Sequence, residues 1–206
     1  MEKGNTVNTK EEKPLKVLDL LIPGDFCTTV ALYGPPQSGK TTLIADDLPD
    51  EDVKIIDTTR TFPFHTDKEV IVTTNVKTVL PHIEENKTIV VDDIFVFRGD
   101  DIKKMVAKTI ETGARLIVVS QVRTFHEQKY YPYAESIVNN MNVCIQMERY
   151  EIRDEKMYAI TQIKRRRGQW MEDDIRVPVV ISNNRIDPET YRILQGLEEI
   201  NIEVEK

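Results

Sequence analysis

Short hydrophobic runs alternate along the chain with segments whose apolar residues recur at helical spacing. Strand-like runs occupy residues 28–33, 53–57, 69–73, 88–92 and 115–119, and helical patterns occupy residues 40–47, 76–85 and 100–112. This alternation is typical of a layered α/β fold, because each helix carries the chain back to the start of the next parallel strand. The pattern therefore predicts an α/β domain with a mostly parallel central sheet.

The pattern changes after Pro132. A helical stretch at residues 134–140 precedes three strand-like runs at 143–149, 156–164 and 176–182, with turn residues at 154–155 and 168–169. Strands joined by short turns pair antiparallel, so we expect a C-terminal antiparallel hairpin extension of the sheet. Residues 187–206 have apolar positions at mixed helical spacing, which suits either a packing helix or a helix that binds a partner.

The composition describes one soluble domain. A chain of 206 residues is long enough for one well-filled domain and hardly long enough for two. Residues 1–13 are polar and aperiodic, so we expect a flexible tail followed by a single domain over residues 14–206. No apolar run approaches the roughly 20 residues that cross a bilayer, and the first residues do not resemble an export signal.

Charge and cysteine content narrow the functional classes. The formal net charge of −7 argues against a surface covered in positive charge, so any contact with nucleic acid must come from a local basic patch. The two cysteines, Cys27 and Cys144, lie in apolar contexts that suit reduced, buried thiols. We therefore expect a cytoplasmic protein without contact to a membrane.

One segment carries the spacing Gly-x-x-x-x-Gly-Lys-Thr between a predicted strand and a predicted helix. In such a loop the glycines let backbone N–H groups turn inward, and these donors bind phosphates together with the helix N-terminus. Lys40 would add a positive charge at the β- and γ-phosphates, and the Thr41 hydroxyl would hold Mg²⁺. The sequence thus predicts a site for ATP with Mg²⁺, formed by Gly34, Pro35, Pro36, Gln37, Ser38, Gly39, Lys40, Thr41 and Thr42.

Two adjacent carboxylates end the apolar run at residues 88–92. In an open α/β sheet the carboxyl end of a central strand faces the ligand crevice. We therefore expect Asp92 to hold the Mg²⁺ ion together with Thr41. Asp93 either caps the following helix or serves as an acid–base group, and the sequence leaves both open.

The order of these segments resembles the RecA superfamily of recombinases, especially the archaeal RadA paralogues and RadB-like proteins. The resemblance covers most of residues 15–187 and is carried by YGPPQSGKT, IDTTRTF, VVDDI, VVSQV and ITQIKRRRGQW. It implies a RecA-like P-loop NTPase core. It also implies that Ser120 and Gln121 sense the γ-phosphate, although Gln121 alternatively satisfies backbone groups at a strand end.

The resemblance further implies two contacts with nucleic acid. The loop at residues 123–133 would contact single-stranded DNA through the cations Arg123 and Lys129 beside several tyrosines, which alternatively serve in packing. In the basic run at residues 164–167, Lys164 and Arg166 would share one strand face and reach either nucleic acid or the nucleotide of a neighbouring subunit. The alternative is a solvated cluster that discourages aggregation. The implied partners are single-stranded DNA, a recombinase or a second copy of this chain.

One position departs from the family pattern. Thr59 stands where the family has the glutamate that polarises the attacking water, and a hydroxyl with a pKa far above 7 cannot replace that base. Asp93 is the only nearby acid that would compensate. We therefore expect an ATP-binding accessory factor in DNA recombination or repair with weak or absent hydrolysis. The alternatives are an FtsK-like viral or plasmid DNA-packaging ATPase with Asp93 as its base, and a KaiC-like ATP-binding regulator without DNA affinity.

Overall fold

The computed structural model describes residues 16–22, 29–60, 62, 66–125, 128–130, 140–166, 169–170 and 176–204. The predicted tail at residues 1–13 and most of the predicted helix at residues 134–140 lie outside this part of the chain, as do Cys27 and the expected turn residue Gly168.

The predicted segments that the structure describes form helices and strands in the predicted order, and short elements that were not predicted lie between them. The α-helices are α1 (Val17–Leu21), α2 (Lys40–Asp47), α3 (Val76–Val79), α4 (Gly99–Thr112) and α5 (Pro188–Val204), and short 3-10 turns cover Leu80–His82 and Ile94–Val96. The strands are β1 (Thr29–Gly34), β2 (Val53–Asp57), β3 (Glu69–Val72), β4 (Thr88–Asp92), β5 (Arg115–Gln121), β6 (Arg123–Phe125), β7 (Gln128–Tyr130), β8 (Val143–Arg153), β9 (Lys156–Arg166), β10 (Gln169–Trp170), β11 (Arg176–Ser182) and β12 (Arg185–Ile186).

The main sheet has the strand order β12-β11-β9-β8-β1-β5-β4-β2-β3, and β10 pairs with β9. The strands from β3 to β8 in this order pair parallel, whereas β8, β9, β11 and β12 pair antiparallel. Both the parallel centre and the antiparallel extension are therefore confirmed. Because β1, β4 and β5 run parallel, the loops that follow them meet at one edge of the sheet.

Hydrophobic side chains bury the sheet on both faces. One cluster includes Val30, Leu32 and Leu43, and the other includes Ala31, Val91 and Met105. All six residues of β1 are buried, which explains why this strand reads as a continuous apolar run rather than an alternating one. Among the described residues, no helix is long and apolar enough to cross a membrane.

Several boundaries differ from the predictions for local reasons. The helix predicted at residues 76–85 ends at Val79 and continues only as a 3-10 turn, because Pro81 cannot donate the next backbone hydrogen bond. Strand β5 runs two residues past its predicted end, since Ser120 and Gln121 pair with Tyr33 and Gly34 of β1. The ribbon formed by β6 and β7 falls in a segment that was expected to be a loop.

Candidate nucleotide-binding site

The loop between β1 and α2 closes around the amine of Lys40. Its Nζ donates to the carbonyl oxygens of Gly34 and Pro35, at 3.0 Å and 2.8 Å, and to Ser38 Oγ at 3.2 Å. Ser38 and Lys40 are both buried. The cation therefore sits where the predicted phosphate loop requires it, at the N-terminus of α2.

Both glycines of the motif are required by close packing. A Cβ on Gly34 would lie 1.9 Å from the backbone oxygen of Met147 in β8. Gly39 has a φ of +93°, and a Cβ there would lie 2.3 Å from Ile181 Cδ1 and 2.8 Å from Met157 Cε. The strands of the C-terminal extension thus press directly against the loop, and only glycine fits at these two positions.

Thr41 and Asp92 meet across the mouth of the loop. The Thr41 hydroxyl donates to the Asp92 carboxylate over 3.3 Å and 3.5 Å. The pKa of Asp92 is raised to about 6, chiefly by burial and also by the charges of Asp57 and Asp93, while the hydrogen bond from Thr41 and the charge of Lys40 oppose the shift. A buried carboxylate among other carboxylates and beside a hydroxyl offers the hard oxygen ligands that Mg²⁺ prefers. These two residues therefore fit the predicted metal ion.

The surroundings of Lys40 make the protonated form of its amine less favourable than in water. Burial lowers the pKa of its amine to about 8, and the nearby carboxylates of Asp92 and Asp93 only partly offset this effect. A desolvated cation gains more from an anionic ligand than an exposed one does, because the surrounding dielectric is lower. The loop is thus suited to a strongly anionic group such as a triphosphate.

Asp93 caps the turn that follows it and also faces the cleft. It adopts a left-handed conformation with φ +61°, and its carboxylate accepts from the backbone N–H of Phe95 at 3.4 Å. It also accepts from Gln121 Nε2 at 3.2 Å. The capping contact is therefore present, and the carboxylate that would serve as an acid–base group also lines the cleft.

Thr59, the residue expected in place of the base, turns toward Asp57. Thr59 is exposed, and its backbone N–H and hydroxyl point back to Asp57 Oδ1 at 3.0 Å and 3.4 Å. The buried Asp57 also accepts from the N–H groups of Arg60 and Phe62 at 2.8 Å and 3.0 Å. Sequence reasoning did not single out Asp57. The signal was present, because an acid ends β2 and pairs in register with Asp92 of β4.

A cleft of about 650 Å³ unites most of these groups. Of the predicted residues, it is lined by Pro36, Gln37, Ser38, Gly39, Lys40, Thr41, Thr42, Asp92, Asp93, Ser120 and Gln121. Gly34 and Pro35 contribute their carbonyl groups to Lys40 instead. The C-terminal extension supplies further walls that sequence reasoning missed, namely Arg149, Ile152, Glu155, Met157, Ile181, Asn183 and Asn184.

The predicted nucleic-acid contacts lie elsewhere or cannot be placed. Lys164 is seven residues along β9 from the cleft residue Met157, roughly 23 Å toward the opposite edge of the sheet. A register shift falls at Lys164, because Ile145 pairs with Ile163 and Cys144 pairs with Arg165. This shift interrupts the alternation that was used to group Lys164 with Arg166. The side chains of Arg123, Lys129 and Arg166 lie outside the described part of the structure.

Comparison with known proteins identifies the fold. No protein-family model and no curated protein matches the chain. The solved structure of the RadB recombinase has a TM-score of 0.56 at 16% identity and covers 82% of this chain and 94% of its own. The KaiC-like protein PH0186 from Pyrococcus horikoshii OT3 matches with a TM-score of 0.58 at 20% identity, and the match covers 85% of this chain and 97% of the PH0186 chain. The predicted RecA-like fold is therefore confirmed.

Proposed function

We propose that the chain binds ATP with Mg²⁺ and acts as an accessory RecA-like recombinase paralogue in DNA recombination or repair, with weak hydrolysis. The convergence of the Lys40 amine, the Thr41 hydroxyl and the Asp92 carboxylate in one cleft carries this proposal. The likeness to RadB favours a role beside a recombinase. The protein would work in the cytoplasm.

Different groups in the cleft would bind the phosphates and the metal ion. The inward backbone N–H groups and Lys40 hold the phosphates, and Lys40 exchanges its bonds to Gly34, Pro35 and Ser38 for phosphate oxygens. Thr41 and Asp92 hold the Mg²⁺ ion, which would neutralise charge on the β- and γ-phosphates. The 3-10 turn after Asp93 and the loop around Asp57 keep the Asp92 backbone in place, since the Thr58 hydroxyl donates to the carbonyl groups of both Asp92 and Asp93.

Weak turnover follows from the available base. Thr59 is exposed and turned toward Asp57, so water activation falls to Asp93. Gln121 Nε2 and the backbone N–H of Phe95 both donate to the Asp93 carboxylate, so part of its capacity to accept hydrogen bonds is already used. A general base must reach the proton of the attacking water directly, and a carboxylate held by two other donors is less available to that water, so hydrolysis would be slow.

The nucleotide state would reach a partner through the ribbon of β6 and β7. Val122, between Gln121 and the ribbon, donates its N–H to Gly34 O at 2.9 Å, and this oxygen also accepts from Lys40. Release of Lys40 to the phosphates would change that shared acceptor. We propose that Arg123 and Lys129 of the ribbon bind single-stranded DNA, and that Lys164 and Arg166 bind nucleic acid or the nucleotide of a neighbouring copy.

A second candidate is a DNA-translocating ATPase of the FtsK-like kind. The observation that favours it is the Asp93–Gln121 pair in the cleft, which would serve as base and γ-phosphate sensor. A third, a KaiC-like regulator without DNA affinity, is favoured by the likeness to PH0186. The three differ in hydrolysis rate and in response to DNA.

Hydrolysis with and without single-stranded DNA separates these functions. The proposal expects a slow wild-type rate that Asp93→Ala reduces further, together with detectable binding of single-stranded DNA in the presence of ATP. Fast, DNA-stimulated turnover that Asp93→Ala abolishes would favour translocation instead. Absence of any DNA binding would favour the regulator.

Binding itself is tested at Lys40. We expect Lys40→Ala to weaken ATP affinity by about 10- to 100-fold, because it removes charge-assisted bonds worth about 1.5–3 kcal/mol. Lys103→Ala on α4 is the control, since this lysine is exposed and does not line the cleft. Undiminished ATP affinity in Lys40→Ala would refute the nucleotide site.

A further inference from the structure

The cleft extends from the phosphate loop in two directions. On one side of β1, strands β5 and β4 bring Gln121, Asp92 and Asp93 to the cleft. On the other side lie β8, β9 and β11, so β11 is roughly 14 Å from β1. Since the metal ligands mark the γ-phosphate end, the opposite end is the place for the nucleoside.

An apolar floor covers that opposite end. Ile152, Met157 and Ile181 line the cleft from three neighbouring strands. Met157 pairs directly with Ile181 on one side and with Ile152 on the other. Apolar side chains and a polarizable methionine suit the flat face of an aromatic base.

Two tight turns form a polar rim around this floor. Asp154 and Glu155 have φ values of 51° and 62°, and Asn183 and Asn184 have φ values of 50° and 57°. Glu155 and both asparagines are exposed and line the cleft. A carboxamide can donate to and accept from a base edge at once, whereas an ionised carboxylate only accepts.

We propose that the Asn183–Asn184 turn and Glu155 form a base subsite that selects adenine over guanine and hypoxanthine. The inference rests on the proposed nucleotide function. Adenine offers an amino donor at position 6 beside the ring acceptor N7, the pair that an asparagine side chain matches. Guanine and hypoxanthine offer two acceptors on that edge, which a carboxylate such as Glu155 repels. Arg149 also lines the cleft, three residues before Ile152 on β8, and in this proposal it binds the phosphates rather than the base.

The test measures binding of ATP, GTP, ITP and tripolyphosphate, each with Mg²⁺, by titration calorimetry. Asn183→Gly/Asn184→Gly removes both carboxamides, and glycine accepts the positive φ values of the turn. Asp154→Gly is the matched control, because it changes the other turn of positive φ at a residue that does not line the cleft. Glu155→Gln exchanges an acceptor for a group that also donates.

We expect the wild type to bind ATP about tenfold more tightly than GTP or ITP, and the double glycine variant to bind all three about equally. Its affinity for tripolyphosphate stays unchanged, and Asp154→Gly behaves as the wild type. Glu155→Gln raises affinity for ITP relative to ATP, because the new amide donates to the carbonyl group. Equal wild-type affinities for the three nucleotides, or an unchanged preference in the double variant, would overturn the subsite. If tripolyphosphate and all nucleotides fail to bind, the phosphate site itself is wrong.

Discussion

Gly34→Ala tests the contact that joins the phosphate loop to the C-terminal extension. The added Cβ would lie 1.9 Å from Met147 O and 3.0 Å from Met147 C, whereas a carbon and an oxygen ordinarily stay about 3.3 Å apart. Strands β1 and β8 would therefore have to separate by about 1.4 Å, the difference between the ordinary distance of about 3.3 Å and the 1.9 Å to Met147 O. The obstructing atom belongs to the backbone, so no side-chain rotation relieves the clash.

The expected cost is about 3 kcal/mol in the free energy of unfolding. Overpacking of this kind costs about 1–3 kcal/mol. Separation of the strands also weakens the pairing of β1 with β8 next to Tyr33 and Gln146, and it moves Gly34 O away from Val122 N. The weakened hydrogen bonds add about 1 kcal/mol to the cost. ATP affinity should fall as well, because the same oxygen positions the Lys40 amine.

Urea unfolding followed by circular dichroism measures the effect, with two other glycines as controls. Gly113 has a φ of +71° and open space around its Cβ position, so Gly113→Ala should cost only about 1 kcal/mol. Gly196 lies inside α5, also in open space, so Gly196→Ala should stabilise the protein by about 0.5–1 kcal/mol. A Gly34→Ala variant within about 0.5 kcal/mol of the wild type would refute the close approach of β8 to the loop, at the usual precision of such measurements.

Further predictions concern titration and capping. Burial raises the pKa of Asp92 from 3.8 to about 6, so the native state binds this proton more tightly than the unfolded chain does. The free energy of unfolding should therefore fall as pH rises from about 4 to 6. In urea unfolding, the free energy of Asp92→Asn should depend less on pH over this range. Mg²⁺-dependent ATP affinity should weaken below pH 6 as Asp92 takes up a proton, and titration at pH 5 and 7 checks this. Above pH 8, ATP affinity should fall as Lys40, whose pKa burial lowers to about 8, loses its charge; a constant affinity from pH 7 to 9 would contradict the buried amine. Asp47→Ala should lower the free energy of unfolding by about 1–2 kcal/mol. The Asp47 carboxylate accepts from the first N–H groups of α1, those of Val17 and Leu18, at 3.2 Å and 2.6 Å. Thermal unfolding at pH 7 measures this loss, which should be smaller in Asp47→Asn.

Local sequence patterns predicted the parts of the molecule whose residues are close along the chain. Helix α2 and strands β2 and β4 have the predicted bounds. For the two strands the reason is that a mainly apolar run covered on both faces leaves few alternatives. Asp154 and Glu155 form the predicted turn, with φ values of 51° and 62°. Cys144 is buried, as its apolar context predicted.

Errors arose where pairing between distant segments overrides local preference. Neither the two-residue extension of β5 nor the shift at Lys164 has a signal in the local pattern, because both depend on the register against β1 and β8. Residue 60 has a positive φ, and its N–H is bound by Asp57. That role of Asp57 is set by the path of the loop and not by any motif.

The sequence by itself determined the phosphate loop, since its donors, its cation and its threonine lie within nine consecutive residues and act through backbone geometry. It also determined the place of Asp92, the proposed metal ligand, because the carboxyl end of a central parallel strand meets the crevice. Only the tertiary structure decided the rest of the cleft. Met157 and Ile181 reach Gly39 from more than 100 residues away, and Asn183 and Asn184 reach the cleft through the order of β8, β9 and β11 in the sheet. Strand order and register are set by contacts between distant parts of the chain, so the walls of the nucleoside end follow from the folded sheet and not from local pattern.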